Sequence, residues 1–186
     1  AAAAEADQRK IAEEGREDAE KARDQAKKAA AMAEAINQFL VKEMLGSAAP
    51  EVSLGRKITV EEVLANAAAK IDGAFPDQPL LEAHVRQTLG KTYFSLGLYD
   101  AAKPHIAKAL EIRTRELGED HRDTIVSMTS AARGKSRSEA EAMLRKAVEI
   151  GRRVLGEEHP DTLEAMFSLA ETLRHQSKYD ECEPLH

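Results

Sequence analysis

The chain has 186 residues, 42% hydrophobic but only 4% aromatic and without Trp, 32% charged, with a net charge of −6. Such a composition points to long helices with thin, small-residue packing layers, and its interspersed, net acidic charge argues against a nucleic-acid footprint. No run of about eighteen apolar residues exists to span a membrane, and the single Cys182 excludes an internal disulfide while leaving the redox compartment open. With no initiator Met and an abrupt end at ECEPLH, the chain is expected to be part of a larger protein.

Residues 1–45 read as one long helix. Ala12, Gly15, Ala19, Ala22, Ala26, Ala29, Ala33, Ile36 and Leu40 alternate by three and four, as a coiled-coil seam does. A buried Ala in place of Leu forfeits ~2–5 kcal/mol, so this seam binds weakly per layer. Glu17–Lys21 and Asp24–Lys28 are expected pairs that support an isolated helix by only about 0.2–0.5 kcal/mol each. A solvated spacer and a homodimer through this helix are both open. Residues 46–58 read as an irregular connector. Residues 59–72, TVEEVLANAAAKID, open with Thr59 and Glu62 in capping-box spacing and carry an apolar face of Val63, Leu64, Ala67, Ala68 and Ile71. The boundaries expected are 1–45, 46–78 and a repeat region at 79–186, with the 59–72 helix capping the first repeat.

That repeat region is marked by LGEDHRDT at 117–124, which returns as LGEEHPDT at 155–162, 38 positions on. Self-similarity at such a period marks a stacked repeat. Ala102, Ile106, Ala109, Leu110 and Ile112–Arg113 follow a helical rhythm up to Leu117, and Gly118 falls where a left-handed cap is expected. Asp123 and Thr124, then Asp161 and Thr162, can accept hydrogen bonds from the amides that open the next helix, and Pro160 suits the turn just before it. The octapeptide is a helix stop, a turn and a helix start. Upstream, Leu89-Gly90-x-x-Tyr93 is followed by Gly97, Tyr99, Ala102, Ile106 and Ala109. A third copy gives Leu169-Ala170-x-x-Leu173, Tyr179 and Cys182, and the second copy places Ala140, Leu144 and Ala147 in the corresponding slots.

These spacings resemble the tetratricopeptide signature W-x-x-L-G-x-x-Y followed by A-x-x-x-F, with Arg86 in the Trp position and Ile106 in the Phe position. The long second helix and the LGE-x-H-x-DT linker are similar to the kinesin-light-chain-like subclass, whose period is 42 residues. Tyr99 and Tyr179 lie 80 apart, 38 plus 42, so the middle repeat is four residues short. The loss falls between Thr124 and Arg137, as a truncated first helix or an absent turn. The resemblance implies an all-α fold: a right-handed solenoid of antiparallel helix pairs, about two and a half repeats, preceded by the long N-terminal helix. It further implies a concave groove lined by first helices, which would bind a protein or peptide ligand. The positions it assigns to that groove are His84, Gln87, Thr88, Lys91 and Phe94 in repeat one. Repeat two offers Val126, Thr129 and Ser130, and repeat three Glu164, Phe167, Ser168, Glu171 and Arg174. Thr88, Ser130 and Ser168 stand where the subclass usually carries Asn, which can pair both ways with a peptide backbone. The run AEAINQFLVKEMLGSAAP, the 58–75 block and the repeats together resemble the C-terminal region of certain bacterial serine/threonine protein kinases. That likeness implies a sensory or scaffolding segment of a signalling protein.

Catalytic motifs fail on spacing. His121-Arg122-Asp123 spells a kinase triplet, but the required Asn is Met128. Gly134-Lys135-Ser136 ends like a phosphate-binding loop, yet the required upstream Gly is Thr129. His84, His105, His121, His159, His175 and His186 show no zinc spacing. His121 and His159 are expected to fix the linkers by hydrogen bonding, and Cys182 to be a packing residue. The expectation is a non-catalytic scaffold with no cofactor or metal.

Overall fold

The computed structural model describes residues 2–39 and 58–182, and all its described elements are helices. Two compact units divide the chain, residues 1–63 and 64–186. In the first, α1 runs Ala2–Phe39. Gly15, Ala19, Ala22, Ala26 and Ala33 of the expected seam are exposed along it. Lys21 lies 4.0 Å from Glu17, as the spacing predicts, and Asp24 meets Lys27 at 3.7 Å; the side chain of Lys28, the expected partner of Asp24, lies outside the described residues. The side chains of Ala12, Ala29, Ile36 and Cys182, together with Leu40, the 46–57 connector and His186, lie outside the described residues.

Helix α2, Val60–Ile71, starts with the expected capping box: the Glu62 amide donates to Thr59 Oγ1 at 3.2 Å, and the Thr59 amide to Glu62 Oε2 at 3.0 Å. Its Leu64, Ala67 and Ile71 are buried. In the second unit three helix pairs follow: α3 Pro79–Ser95 with α4 Tyr99–Leu117, α5 Arg122–Ala132 with α6 Arg137–Val154, and α7 Pro160–His175 with the short α8 Tyr179–Cys182. Helix α5 has 11 residues against 17 in α3 and 16 in α7, so the four-residue loss appears as a helix cut short by about one turn.

Small residues let the pairs approach. A Cβ on Gly90 would lie 2.5 Å from Ile106 Cδ1, so glycine sets the distance between α3 and α4. Ile125, Leu144, Ala147, Ala165, Leu169 and Leu173 join α5, α6 and α7 in one apolar core. The linkers end as expected, with Gly118 and Gly156 at φ of 83° and 95°, a region side chains avoid. Their helix starts need a correction. The caps are imidazoles, not Asp123, Thr124, Asp161 or Thr162: His121 Nδ1 accepts from the Asp123 amide and His159 Nδ1 from the Asp161 amide, each at 3.1 Å. An acceptor Nδ1 places the proton on Nε2. Thr124 and Thr162 are fully buried instead. Asp161 pairs with Arg122, and Asp120 with Arg153 at 2.6 Å, so the charged linker positions tie neighbouring repeats together.

The Trp position of the first repeat holds a buried cation. Arg86 donates to Glu82 at 2.7 Å and to Asp72, which stands just past α2. Beside it His105 stacks on Tyr93 with centroids 5.8 Å apart. Burial first, and the Arg86 charge second, push the His105 pKa below its ordinary 6.5, with Asp72 opposing. A depressed folded value means that the unfolded chain binds the proton more readily. Stability is therefore present above about pH 6.5 and falls as pH drops below it. Melting temperatures at pH 7.5 and 5.5 should differ more in the parent than in His105→Gln; equal differences would contradict this.

Candidate functional site

Groove residues lie on first helices because i, i+3 and i+4 positions share a helix face. Along α3 this register exposes His84, Thr88 and Lys91, with Phe94 half-buried at the end. The Thr88 hydroxyl donates to the His84 carbonyl at 3.0 Å, so it serves its own helix. Gln87 is buried: its Nε2 donates to Ser130 Oγ at 2.7 Å, and its Oε1 accepts from Ser127 Oγ at 3.2 Å. Arg113, buried on α4, donates to the same Ser127 Oγ at 2.7 Å. This chain of polar groups joins α3, α4 and α5 across the first repeat boundary. Thr129 is also buried, and its hydroxyl donates to the Ile125 carbonyl at 3.1 Å.

Between α3, α5 and α7 lies a cleft of about 430 Å³, lined by Lys91, Phe94, Ser95, Tyr99, Ser130, Arg133 and Glu164. It brings together four expected residues: Lys91, Phe94, Ser130 and Glu164. Tyr99, 59% exposed, tilts against Phe94 with centroids 6.0 Å apart, which makes a two-ring apolar wall. Lys91 and Arg133 form no ion pair among the described residues, so both charges are available to a ligand. The remaining expected positions stand apart from this cleft. Phe167 is 58% exposed on α7, Ser168 is half-buried, and Arg174 pairs with Glu171 at 3.4 Å.

Three lining residues are additions to the sequence reading. Arg133 is the counterpart of Lys91 one full period on, at 91 plus 42, and that register could have found it. Ser95 follows Lys91 by one turn, at i+4. Tyr99 reads in sequence as a repeat marker, and only the fold turns it toward Phe94. The Gly134-Lys135-Ser136 stretch has a structural role: Ser136 caps α6 in a full capping box with Glu139, whose carboxyl these hydrogen bonds hold below its ordinary range.

Stacked antiparallel helix pairs with a cleft on their first helices define a helical-repeat protein. The tetratricopeptide repeat family matches residues 80–139 and 137–185, more than half of the chain, and the chain belongs to that family. Among curated proteins no match to the chain was found. Tetratricopeptide repeats generally mediate protein–protein interactions. Among the described residues no group of three His, Cys, Asp or Glu side chains could hold a metal, and no helix is long and apolar enough to cross a membrane.

Proposed function

We propose that the chain is a non-catalytic scaffold that binds an extended peptide of a protein partner in the α3–α5–α7 cleft. The observation that carries this reading is the meeting of Lys91 and Arg133, two cations with no ion pair among the described residues, with the Phe94–Tyr99 wall in one concave site. Aromatic anchors and desolvated charges dominate such interfaces. Ser130 accepts from Gln87 and donates to the Val126 carbonyl at 3.0 Å, so its hydroxyl is largely committed. Charge and aromatic surface therefore carry recognition here, in place of the two-way amide pairing that Asn supplies. The 19-residue α4 and 18-residue α6 support the kinesin-light-chain-like reading of the repeats.

Selection of a random-peptide library on the parent chain should enrich a shared motif. Replacing both Phe94 and Lys91 with alanine should weaken its binding at least ~10-fold, the scale of interface anchors, without lowering the melting temperature by more than a few degrees. Unchanged affinity in the double variant would refute the cleft.

A second reading rests on the exposed small-residue seam of α1, which suits weak homodimerisation. Light scattering at tens of micromolar should then give a dimer that deletion of residues 1–35 converts to monomer; a parent already monomeric would dispose of it. Regulation of an attached bacterial serine/threonine kinase draws on the sequence likeness. Autophosphorylation of a full-length protein that ignores an added peptide ligand would count against it.

A further inference from the structure

Helix α5 stops a turn early, and the space beyond its end is a cavity of about 330 Å³. Ile106, Leu110 and Met143 give it an apolar floor, Ala131 and Gly134 bound it at the end of α5, and Phe94 separates it from the cleft. The other repeats show what belongs there. In repeat one, Tyr93 is 3% exposed and stacks on His105 of α4; in repeat three, Leu173 is fully buried. Met143 occupies in α6 the place of His105 in α4, 38 positions on, but the residue in register with Tyr93 and Leu173 is Lys135, in the turn after α5. The chain builds the surface for a large apolar side chain and does not supply one.

We propose that this cavity is a socket for one large apolar side chain, aromatic or Leu-like, of the acidic protein segment that lies in the neighbouring cleft. The inference rests on the cleft reading above and names the partner's chemistry. Charge selects the segment. Lys135 on the rim forms no ion pair among the described residues, nor do Lys91 and Arg133 in the cleft, while the rim carboxylate Glu111 is bound by Lys108 at 2.7 Å. Against these three cations the cleft lining holds one carboxylate, Glu164, so the balance stays basic. Lys103, the other rim cation, is shared with Asp100 at 2.8 Å. Phe94 walls both sites, so an extended segment can lie against the cleft and turn one side chain past the ring. At about 330 Å³ the cavity has ample room for one large side chain.

The test starts from peptides enriched on the full chain from a random library, titrated against the parent, Ala131→Leu and Ala107→Leu. Ala131 and Ala107 both line the cavity, and Ala107 is exposed, so the second filling disturbs no buried contact. The expected motif combines carboxylates with one constant large apolar residue. Both filled variants should bind it at least ~10-fold more weakly, an anchor-sized effect, with melting temperatures equal to or above the parent. If Ala131→Leu fails to fold, Ala107→Leu decides alone. A motif with no fixed apolar residue, or equal affinity in the filled variants, would overturn the socket. If that motif were still lost on Lys91→Ala, the cleft reading would survive. No enrichment from a chain shown to be folded would remove both.

Discussion

Leu144→Ala is expected to destabilise the repeat unit by about 3–4 kcal/mol, inside the range for a buried Leu truncated without collapse of its surroundings. Leu144 is 2% exposed on α6 and belongs to the apolar cluster that α5, α6 and α7 share. A cavity there weakens both faces of the middle repeat at once, and α5 is too short to shift and fill it. At roughly 2–4 °C per kcal/mol for a domain of this size, the melting temperature should fall by roughly 10 °C. Circular dichroism on heating and a urea titration measure it. A loss under about 1 kcal/mol would mean that the shared core does not hold the stack together.

Arg86→Ala is the second large effect, expected near 3 kcal/mol, because hydrogen bonds to charged groups are each worth about 1.5–3 kcal/mol and truncation also removes packed stem atoms. The Arg86 side chain is 7% exposed and its partner Glu82 19%, whereas Asp72 is 84% exposed. Loss of the guanidinium therefore leaves Glu82 as the uncompensated charge, and Asp72 simply returns to water. A buried pair is costly to break but cheap to replace whole. Arg86→Met/Glu82→Met should recover at least half of what Arg86→Ala loses. Chemical denaturation of the three proteins closes the comparison. A double variant no more stable than Arg86→Ala would show that the ions themselves, and not the orphaned carboxylate, set the cost.

The punctuation of the fold is legible in the sequence because it depends on local rules. Gly118 and Gly156 end helices through positive φ, Thr59 and Glu62 form their box, and 38-residue self-similarity places the helix pairs. Helix register likewise selects Lys91, Phe94, Ser130 and Glu164, four of the residues that line the cleft. Register states a face but not a depth. Gln87 and Thr129 share that face, yet the approach of α3 to α5 buries them and consumes their hydrogen bonds inside the stack. Tyr99 and Arg133 show the converse. Tyr99 reads as a repeat marker and reaches the cleft only through the packing of α4 on α3, while Arg133 keeps the register of Lys91 just past the end of the short α5. The helix starts depart from expectation because Asp and Thr are the commoner caps, while a His two residues before the donating amide does the same work with Nδ1. Arg86 is legible as a departure from the family residue, but its partner Asp72 stands just past α2, outside the helix pairs, and no periodicity connects them.

The central claim is that ligands bind on the first helices. The most direct measurement is the amide chemical-shift map of the isotopically labelled chain on addition of a library-enriched peptide. The largest shifts should fall near Lys91–Tyr99, Ser130–Lys135 and Glu164 and around the socket at Ile106–Leu110 and Met143, with the rest of α6 little changed. Shifts centred on the outer faces of α4 and α6, or confined to residues 2–39, would contradict it.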